Sequence, residues 1–154
     1  MTGTSWLDNR EMRAWRGFLA ASALVNRRLD QQLKDDSALS HPQYEILVRL
    51  AEAPGRELRM TELANGLINS KSGLTYQVTQ LEKAGLVRRR SCPSDVRGVF
   101  AVLTDTGMAR LEEAAPGHVA TVRKILIDVL TPAQLDALAD GLGEVSRRLR
   151  EQGA

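Results

Sequence analysis

Polar side chains between positions 69 and 83 have the types and the spacing of a hydrogen-bonding surface. Leu74, Val78 and Leu81 fall at i, i+4 and i+7, which indicates one apolar stripe along a helix. The opposite face is polar and poor in acids, and its groups can reach base edges and phosphates. The candidate contact residues on that face are Ser70, Lys71, Ser72, Thr75, Tyr76, Thr79 and Gln80. The pattern predicts a helix over about 69–84 that turns one face to the core and leaves the polar face open, although many helices of this kind are only packing units.

Two strand-like segments follow this helix and frame a polar loop. Gly85 is typical of the position just after a helix, and the segments 86–87 and 99–103 have the composition of strands. Between them, SCPSDVRG is rich in turn residues and carries Arg97 near its tip. A narrow A·T-rich minor groove attracts a guanidinium group, so we expect Arg97 to enter that groove. A helix followed at once by a basic two-stranded ribbon is the outline of a winged helix–turn–helix.

Other charged residues of the ribbon are expected to support its shape. Phosphates would repel the carboxylate of Asp95, so we expect it to shape the wing or to pair with a nearby arginine. Arg88, Arg89 and Arg90 alternate along a strand and cannot all face the same way. We therefore assign Asp95 and Arg89 as wing-support residues.

Positive charge is concentrated around the predicted helix and ribbon. Nine basic and five acidic residues lie between Arg56 and Arg110, which gives this segment a net charge of +4. The whole chain has a net charge of only +2, so the remainder is net negative. Clustered charge of this kind is what a phosphate-binding surface requires.

Composition excludes several other classes of protein. At 154 residues, with 43% hydrophobic and 26% charged residues, the chain fits one globular domain or a small domain with an added dimerisation element. Cys92 is the single cysteine, so neither an intrachain disulfide nor a cysteine zinc cluster can form. The absence of a membrane-length apolar run and of a signal-peptide core predicts a cytoplasmic protein. No catalytic or phosphate-loop motif is present, so neither an enzyme nor a bound cofactor is expected.

Long apolar helices are predicted on both sides of the winged segment. Over about 7–34 and about 105–151, apolar residues recur at helical spacing, and Pro116-Gly117 should kink or split the second stretch. The last helix is expected to bury a seam of Leu135, Leu138, Leu142, Val145 and Leu149. Together these helices hold more apolar surface than a small winged domain can cover, which predicts a homodimer.

Short polar signals mark where further helices and a strand begin. Ser40 with Gln43, and Thr131 with Gln134, have the spacing of capping boxes. The GRELRM segment before position 61 reads as extended, and Leu58 would add a third strand to the sheet of the wing.

Four short motifs occur together in an order that resembles one family of regulators. ELA at 62–64, LEKAGLVRR at 81–89, the D-x-R of Asp95 and Arg97, and LTDTG at 103–107 resemble the MarR family of winged helix–turn–helix transcriptional regulators. The resemblance covers nearly the whole chain. It implies a mainly α fold with a small β-wing, as one MarR-like domain over 1–154. In that domain a winged lobe at about 40–104 lies between dimerisation helices at about 7–34 and 105–151.

The resemblance also implies a function. Such a protein would bind a pseudo-palindromic operator on double-stranded DNA as a homodimer, most commonly as a repressor, with half-sites about 34–36 Å apart. The alternative is a winged helix that contacts another protein and does not bind DNA. Three positions depart from the family pattern: Tyr76 stands where arginine is frequent, Gln77 replaces a usually apolar residue, and Gly73 weakens the start of the helix.

Regulation by a small molecule is a further implication of the resemblance. MarR-like proteins often release DNA when a small, frequently aromatic anion binds between the DNA-binding lobe and the dimerisation helices. Trp15, His41 and Tyr44 are the candidates for lining such an effector site, with ordinary core packing as the alternative for the two aromatic rings. His118 is expected at the surface.

Redox sensing through Cys92 is another alternative. Three arginines precede this cysteine and would favour its reactive thiolate. Its position differs from the first-helix cysteine of the peroxide-sensing members of the family.

Overall fold

The computed structural model describes residues 3–67, 73–92 and 95–153, apart from the side chains of residue 92 and residues 95–97. Within these ranges the elements in chain order are α1 (Asn9–Ser37), α2 (His41–Glu52), β1 (Glu57–Arg59), α3 (Met60–Gly66), α4 (Leu74–Lys83), β2 (Val87–Cys92), β3 (Asp95–Leu103), α5 (Asp105–Val122) and α6 (Pro132–Glu151). This mainly helical arrangement with one small sheet confirms the predicted fold class. The chain divides into two compact units, Met1–His118 and Val119–Ala154. No helix in the described part is long and apolar enough to cross a membrane.

Side-chain caps fix where α2 and α6 begin. The hydroxyl of Ser40 accepts a hydrogen bond from the backbone N–H of Gln43, whose side chain accepts one from the backbone N–H of Ser40. Thr131 and Gln134 form the same reciprocal pair at the start of α6. Both predicted capping boxes are confirmed. Each satisfies two backbone donors that the first turn of a helix leaves open.

The sheet of the wing has the strand order β1-β3-β2, and both pairs are antiparallel. Leu58 pairs with Ala101, which confirms the predicted third strand. Most of the segment predicted as a loop, SCPSDVRG, instead belongs to the two strands of the hairpin, because β2 continues to Cys92 and β3 begins at Asp95. Arg97 therefore occupies a strand position rather than a loop tip. Two β-branched valines, at 96 and 99, favour this longer hairpin.

The core of the first unit lies between α2, α4 and the inner face of the sheet. Its fully buried side chains include Leu33, Leu39, Ile46, Leu47, Leu50, Leu63, Val78, Leu81, Leu86 and Val87. Leu111 and Ala114 of α5 belong to the same cluster, so the start of α5 is fixed by packing as well as by its cap.

Pro116 does not split its helix. α5 runs without a break from Asp105 to Val122, and a five-residue π-helical segment, Arg123–Ile127, follows it. Proline removes only one backbone donor here, and packing of the preceding turns against the core keeps the helix in place.

α6, in the second unit, leaves apolar side chains uncovered within one chain. α6, all of which is described, contains no buried residue. The predicted seam is therefore not buried inside a single subunit, and Leu142, Val145 and Leu149 remain exposed. α1 also exposes large apolar side chains, at Trp6, Trp15, Phe18, Leu19 and Leu24 near or along its first half.

Candidate nucleic-acid interface

Three apolar side chains fix the orientation of α4. Leu74, Val78 and Leu81 are buried in the core, as their spacing predicts. At the other end, Gly85 has a φ of 75°, and the backbone N–H of Leu86 donates to the carbonyl of Leu81 over 2.9 Å. A glycine readily adopts this left-handed conformation, so it ends the helix at the predicted place.

The start of α4 differs from the prediction. The helix begins at Leu74, later than the predicted start near position 69, and its N-cap is Gly73, which has no side chain to cap it. Glycine is a poor helix former, which explains why the regular helix follows it. The predicted contacts Ser70, Lys71 and Ser72 lie outside the described residues.

The outward face of α4 is polar. Thr75 and Tyr76 are exposed, and the Tyr76 side chain is the most open of the predicted contacts, with 64% of its surface accessible. Thr79 and Gln80 are half-buried. These four side chains leave the helix on the side opposite the buried stripe, which is the arrangement that groove contact requires.

Arg89 joins the ribbon to α4. Its backbone N–H donates to Oε2 of Glu82 over 2.9 Å, and its Nη1 lies 3.3 Å from Oε1 of the same carboxylate. Its Nη2 donates to the carbonyl of Thr75 over 3.0 Å and to the hydroxyl of Thr79 over 2.9 Å. Arg89, one of the two predicted wing-support residues, thus contacts α4. The side chain of the other, Asp95, lies outside the described part of the structure.

Arg90 faces the other side of the sheet. Its guanidinium makes two hydrogen bonds of 2.9 and 2.8 Å with Glu57 of β1 and lies 4.3 Å from the ring centroid of Phe100. The hydrogen bond from Arg90 lowers the pKa of Glu57, so this carboxylate is ionised near neutral pH. Arg89 contacts α4 and Arg90 contacts β1, so the three arginines do not all face the same way, and Arg88 is exposed.

Sequence reasoning missed a polar link between α2 and α4. Nε2 of Gln43 donates to Oε1 of Gln77 over 3.1 Å, so the residue that caps α2 also contacts the candidate recognition helix. Gln77, which replaces a usually apolar residue, was the signal in the sequence for this link, because a half-buried amide needs a hydrogen-bond partner.

A second cluster forms around His118. Its ring centroid lies 4.3 Å from that of Tyr44, which is buried, and 5.8 Å from that of His41. The expectation of a surface histidine is wrong, because α5 carries His118 against the start of α2. Burial, followed by the neighbouring His41, lowers the pKa of His118. Trp15 is instead half-exposed and contacts Phe18, so the structure brings together two of the three predicted effector residues.

Comparison with known proteins identifies the family. The family model described as MarR family matches residues 39–99. The crystal structure of AbsC, a MarR family transcriptional regulator from Streptomyces coelicolor, superposes with a TM-score of 0.88 at 42% identity and covers 96% of this chain and 99% of that one. The chain belongs to the MarR family.

Two further proteins extend this similarity. Sco3205 from Streptomyces coelicolor, solved in complex with DNA, is 45% identical with a TM-score of 0.86, over 99% of this chain and 92% of that one. The transcriptional repressor YetL from Bacillus subtilis is 32% identical over 111 residues, which are 72% of this chain. The match spans 66% of the length of YetL.

Proposed function

We propose that this MarR family chain is a transcriptional repressor that binds a pseudo-palindromic operator on double-stranded DNA as a homodimer. The observation that carries the proposal is the two-sided character of α4, whose apolar residues are held in the core while Thr75 and Tyr76 face solvent. The similarity to Sco3205, which was solved with DNA, supports the use of this face.

In this proposal α4 occupies a major groove and the hairpin lies over the adjacent minor groove. The proposed contacts are Ser70, Lys71, Ser72, Thr75, Tyr76, Thr79, Gln80 and Arg97. Thr75, Thr79 and Arg89 line a groove between α4 and the hairpin together with Arg59, so cationic groups stand beside the helix where phosphates would pass. The protein would act in the cytoplasm and without catalysis.

Dimerisation is proposed through the helices that flank the winged lobe, at about 7–34 and 105–151. Large apolar side chains exposed on α1 and α6 support this, since monomeric proteins rarely leave such extended surfaces in water. A two-fold dimer would place its two α4 helices about one DNA turn apart, roughly 34–36 Å.

A mobility-shift titration with random-sequence duplex at low salt tests DNA binding itself. We expect a shift at micromolar dimer, because non-specific affinity comes from phosphate contacts and rises as salt falls. Selection from a random duplex pool should then enrich a sequence with two inverted half-sites. No shift under these conditions would favour a winged helix that contacts a protein instead.

A small aromatic anion is proposed as the effector, with His41 and Tyr44 as its contacts. The half-buried ring of His118 beside them supports a site that accepts an aromatic group. Benzoate is a suitable probe: it should weaken DNA binding by the wild type and have less effect on Tyr44→Leu. Equal responses of the two proteins would remove these residues from the effector site.

A further inference from the structure

Four residues form a bracket that ties the ribbon to α4. Arg89 of β2 contacts Glu82, the carbonyl of Thr75 and the hydroxyl of Thr79, and these four residues are called the Arg89 bracket here. The contacts span two turns of α4, from Thr75 to Glu82. A guanidinium that engages both ends of such a segment restrains the position of the helix and its rotation about its own axis.

The hydroxyl of Thr79 is used within the bracket. It donates its one proton to the carbonyl of Thr75 over 2.8 Å and accepts from Nη2 of Arg89 over 2.9 Å. A threonine hydroxyl has a single donor, so Thr79 in this arrangement has no proton left for a phosphate or a base acceptor. Thr75 contributes only its backbone carbonyl to the bracket, and its side chain stays exposed.

We infer that Thr79 and Arg89 are positioning residues, which hold α4 at the angle to the hairpin that specific recognition needs. Thr79 thereby moves from the DNA contacts proposed above to a positioning role, in which its hydroxyl connects Arg89 to the helix. The side chains of Thr75, Tyr76 and Gln80 read the groove from the helix that this bracket orients. This inference rests on the proposed DNA binding.

The rival role for Arg89 is a direct phosphate contact, and the two roles differ in their electrostatic signature. Loss of a phosphate contact weakens specific and non-specific binding alike and reduces the salt slope by about 1. Loss of a positioning contact weakens binding to the operator, while the salt slope and the non-specific affinity stay close to those of the wild type.

The experiment compares Thr79→Val, Thr79→Ser, Arg89→Lys and the double variant Thr79→Val/Arg89→Lys. Valine matches the shape of threonine without the hydroxyl, serine keeps the hydroxyl, and lysine keeps the charge without the two-pronged geometry. Each protein is titrated over a range of salt with a duplex selected by the wild type and with a scrambled duplex. Arg88→Lys is the matched control on the same strand, and thermal melting checks that each variant is folded.

We expect Thr79→Val and Arg89→Lys each to lose on the order of 10-fold in affinity for the selected duplex, as hydrogen bonds to charged groups imply. Thr79→Ser and Arg88→Lys should bind like the wild type. The double variant should be little worse than either single one, because both substitutions remove the same contact.

Wild-type affinity of Thr79→Val for the selected duplex would overturn the inference while leaving DNA binding intact. So would equal losses on both duplexes with a smaller salt slope, since those mark a phosphate contact, and so would additive losses in the double variant, since those mark independent roles for Thr79 and Arg89. Failure of the wild type to bind any duplex would instead contradict the proposed function. If Arg89→Lys does not fold, the comparison of valine with serine at position 79 still decides the outcome.

Discussion

At the scale of single residues, His118 links protonation to folding. Its imidazole lies against Tyr44 and near His41, and its buried Nδ1 has no hydrogen-bond partner among the described residues. Burial and the nearby imidazole both disfavour the charged form, so the pKa falls below the ordinary value of 6.5. The unfolded chain therefore binds a proton at His118 more tightly than the folded chain does. As a result, the free energy of unfolding must decrease as pH falls below 6.5.

Chemical denaturation at several pH values measures this linkage. We expect the free energy of unfolding of the wild type to drop as pH falls below about 6.5, and to level off once His118 is also protonated in the folded state. His118→Gln should flatten that dependence, whatever its effect on stability at neutral pH. An identical pH dependence in both proteins would show that other groups cause it.

Substitution of Arg97 tests whether the wing contacts DNA. Its guanidinium is expected in the minor groove, so Arg97→Ala should weaken DNA binding and reduce the salt slope by about 1. Affinity measured against salt concentration tests this. Lys124→Ala, outside the winged lobe, serves as the charge-matched control. Unchanged affinity and slope for Arg97→Ala would count against the wing assignment.

At the scale of elements, α4, the candidate recognition helix, is held by its neighbours more than by its own ends. α4 has no side-chain cap at Gly73, yet its inner face is buried and the Arg89 bracket ties it to β2. Gln43 adds a contact from α2 through Gln77. Tertiary contacts therefore stabilise α4, because a helix this short is only marginally stable in isolation.

The junction between α4 and α5 depends on a close approach at Gly107. Thr104 caps α5 by accepting from the N–H of Gly107 and donates its own proton to the carbonyl of Gly85 over 2.7 Å. A Cβ at position 107 would overlap the carbonyl oxygen of Leu86. Gly107→Ala should therefore cost about 1–3 kcal/mol of stability through overpacking.

Gly143→Ala, on the side of α6 away from the apolar seam, is the matched control for that substitution. It changes the same residue type inside α6, where a Cβ meets nothing within 4 Å. It should be neutral or stabilise by up to about 1 kcal/mol, as alanine favours a helix. Urea denaturation measures the free energy of unfolding of both variants. Equal values would mean that the junction at Gly107 accommodates a Cβ without loss of stability.

At the scale of the whole molecule, exposed apolar surface on two separate helices points to assembly. About half of each side chain is exposed in one chain at Trp15 and Phe18 of α1 and at Val145 and Leu149 of α6. Such side chains are unfavourable in water, and a second copy of the chain would cover them. Because each subunit of the proposed dimer would present one α4, we expect assembly and operator recognition to be coupled.

Val145→Glu tests this coupling. A carboxylate buried at a dimer interface is costly, so the variant should be monomeric where the wild type has about twice the mass of the 16.9 kDa chain. Its affinity for an operator should fall with the loss of the second half-site. Ser146→Glu introduces the same charge at the next, polar position and should remain dimeric. Light scattering at matched concentrations distinguishes the two results, and a dimeric Val145→Glu would place the interface elsewhere.

The sequence by itself determined the features that depend on near neighbours. The apolar stripe of α4, the stop at Gly85 and the capping box of Ser40 each involve residues no more than a few positions apart, so spacing and residue type suffice to predict them. The length of the hairpin was less predictable, because turn-forming residues also occur inside β2 and β3.

Only the tertiary structure decided which distant polar groups meet. Arg89 with Thr79, Arg90 with Glu57 and His118 with Tyr44 join segments that lie 10, 33 and 74 positions apart in the chain. No periodicity relates such pairs. Their meeting depends on how helices and strands pack around the shared core, because the packing decides which side chains come within reach of each guanidinium or imidazole.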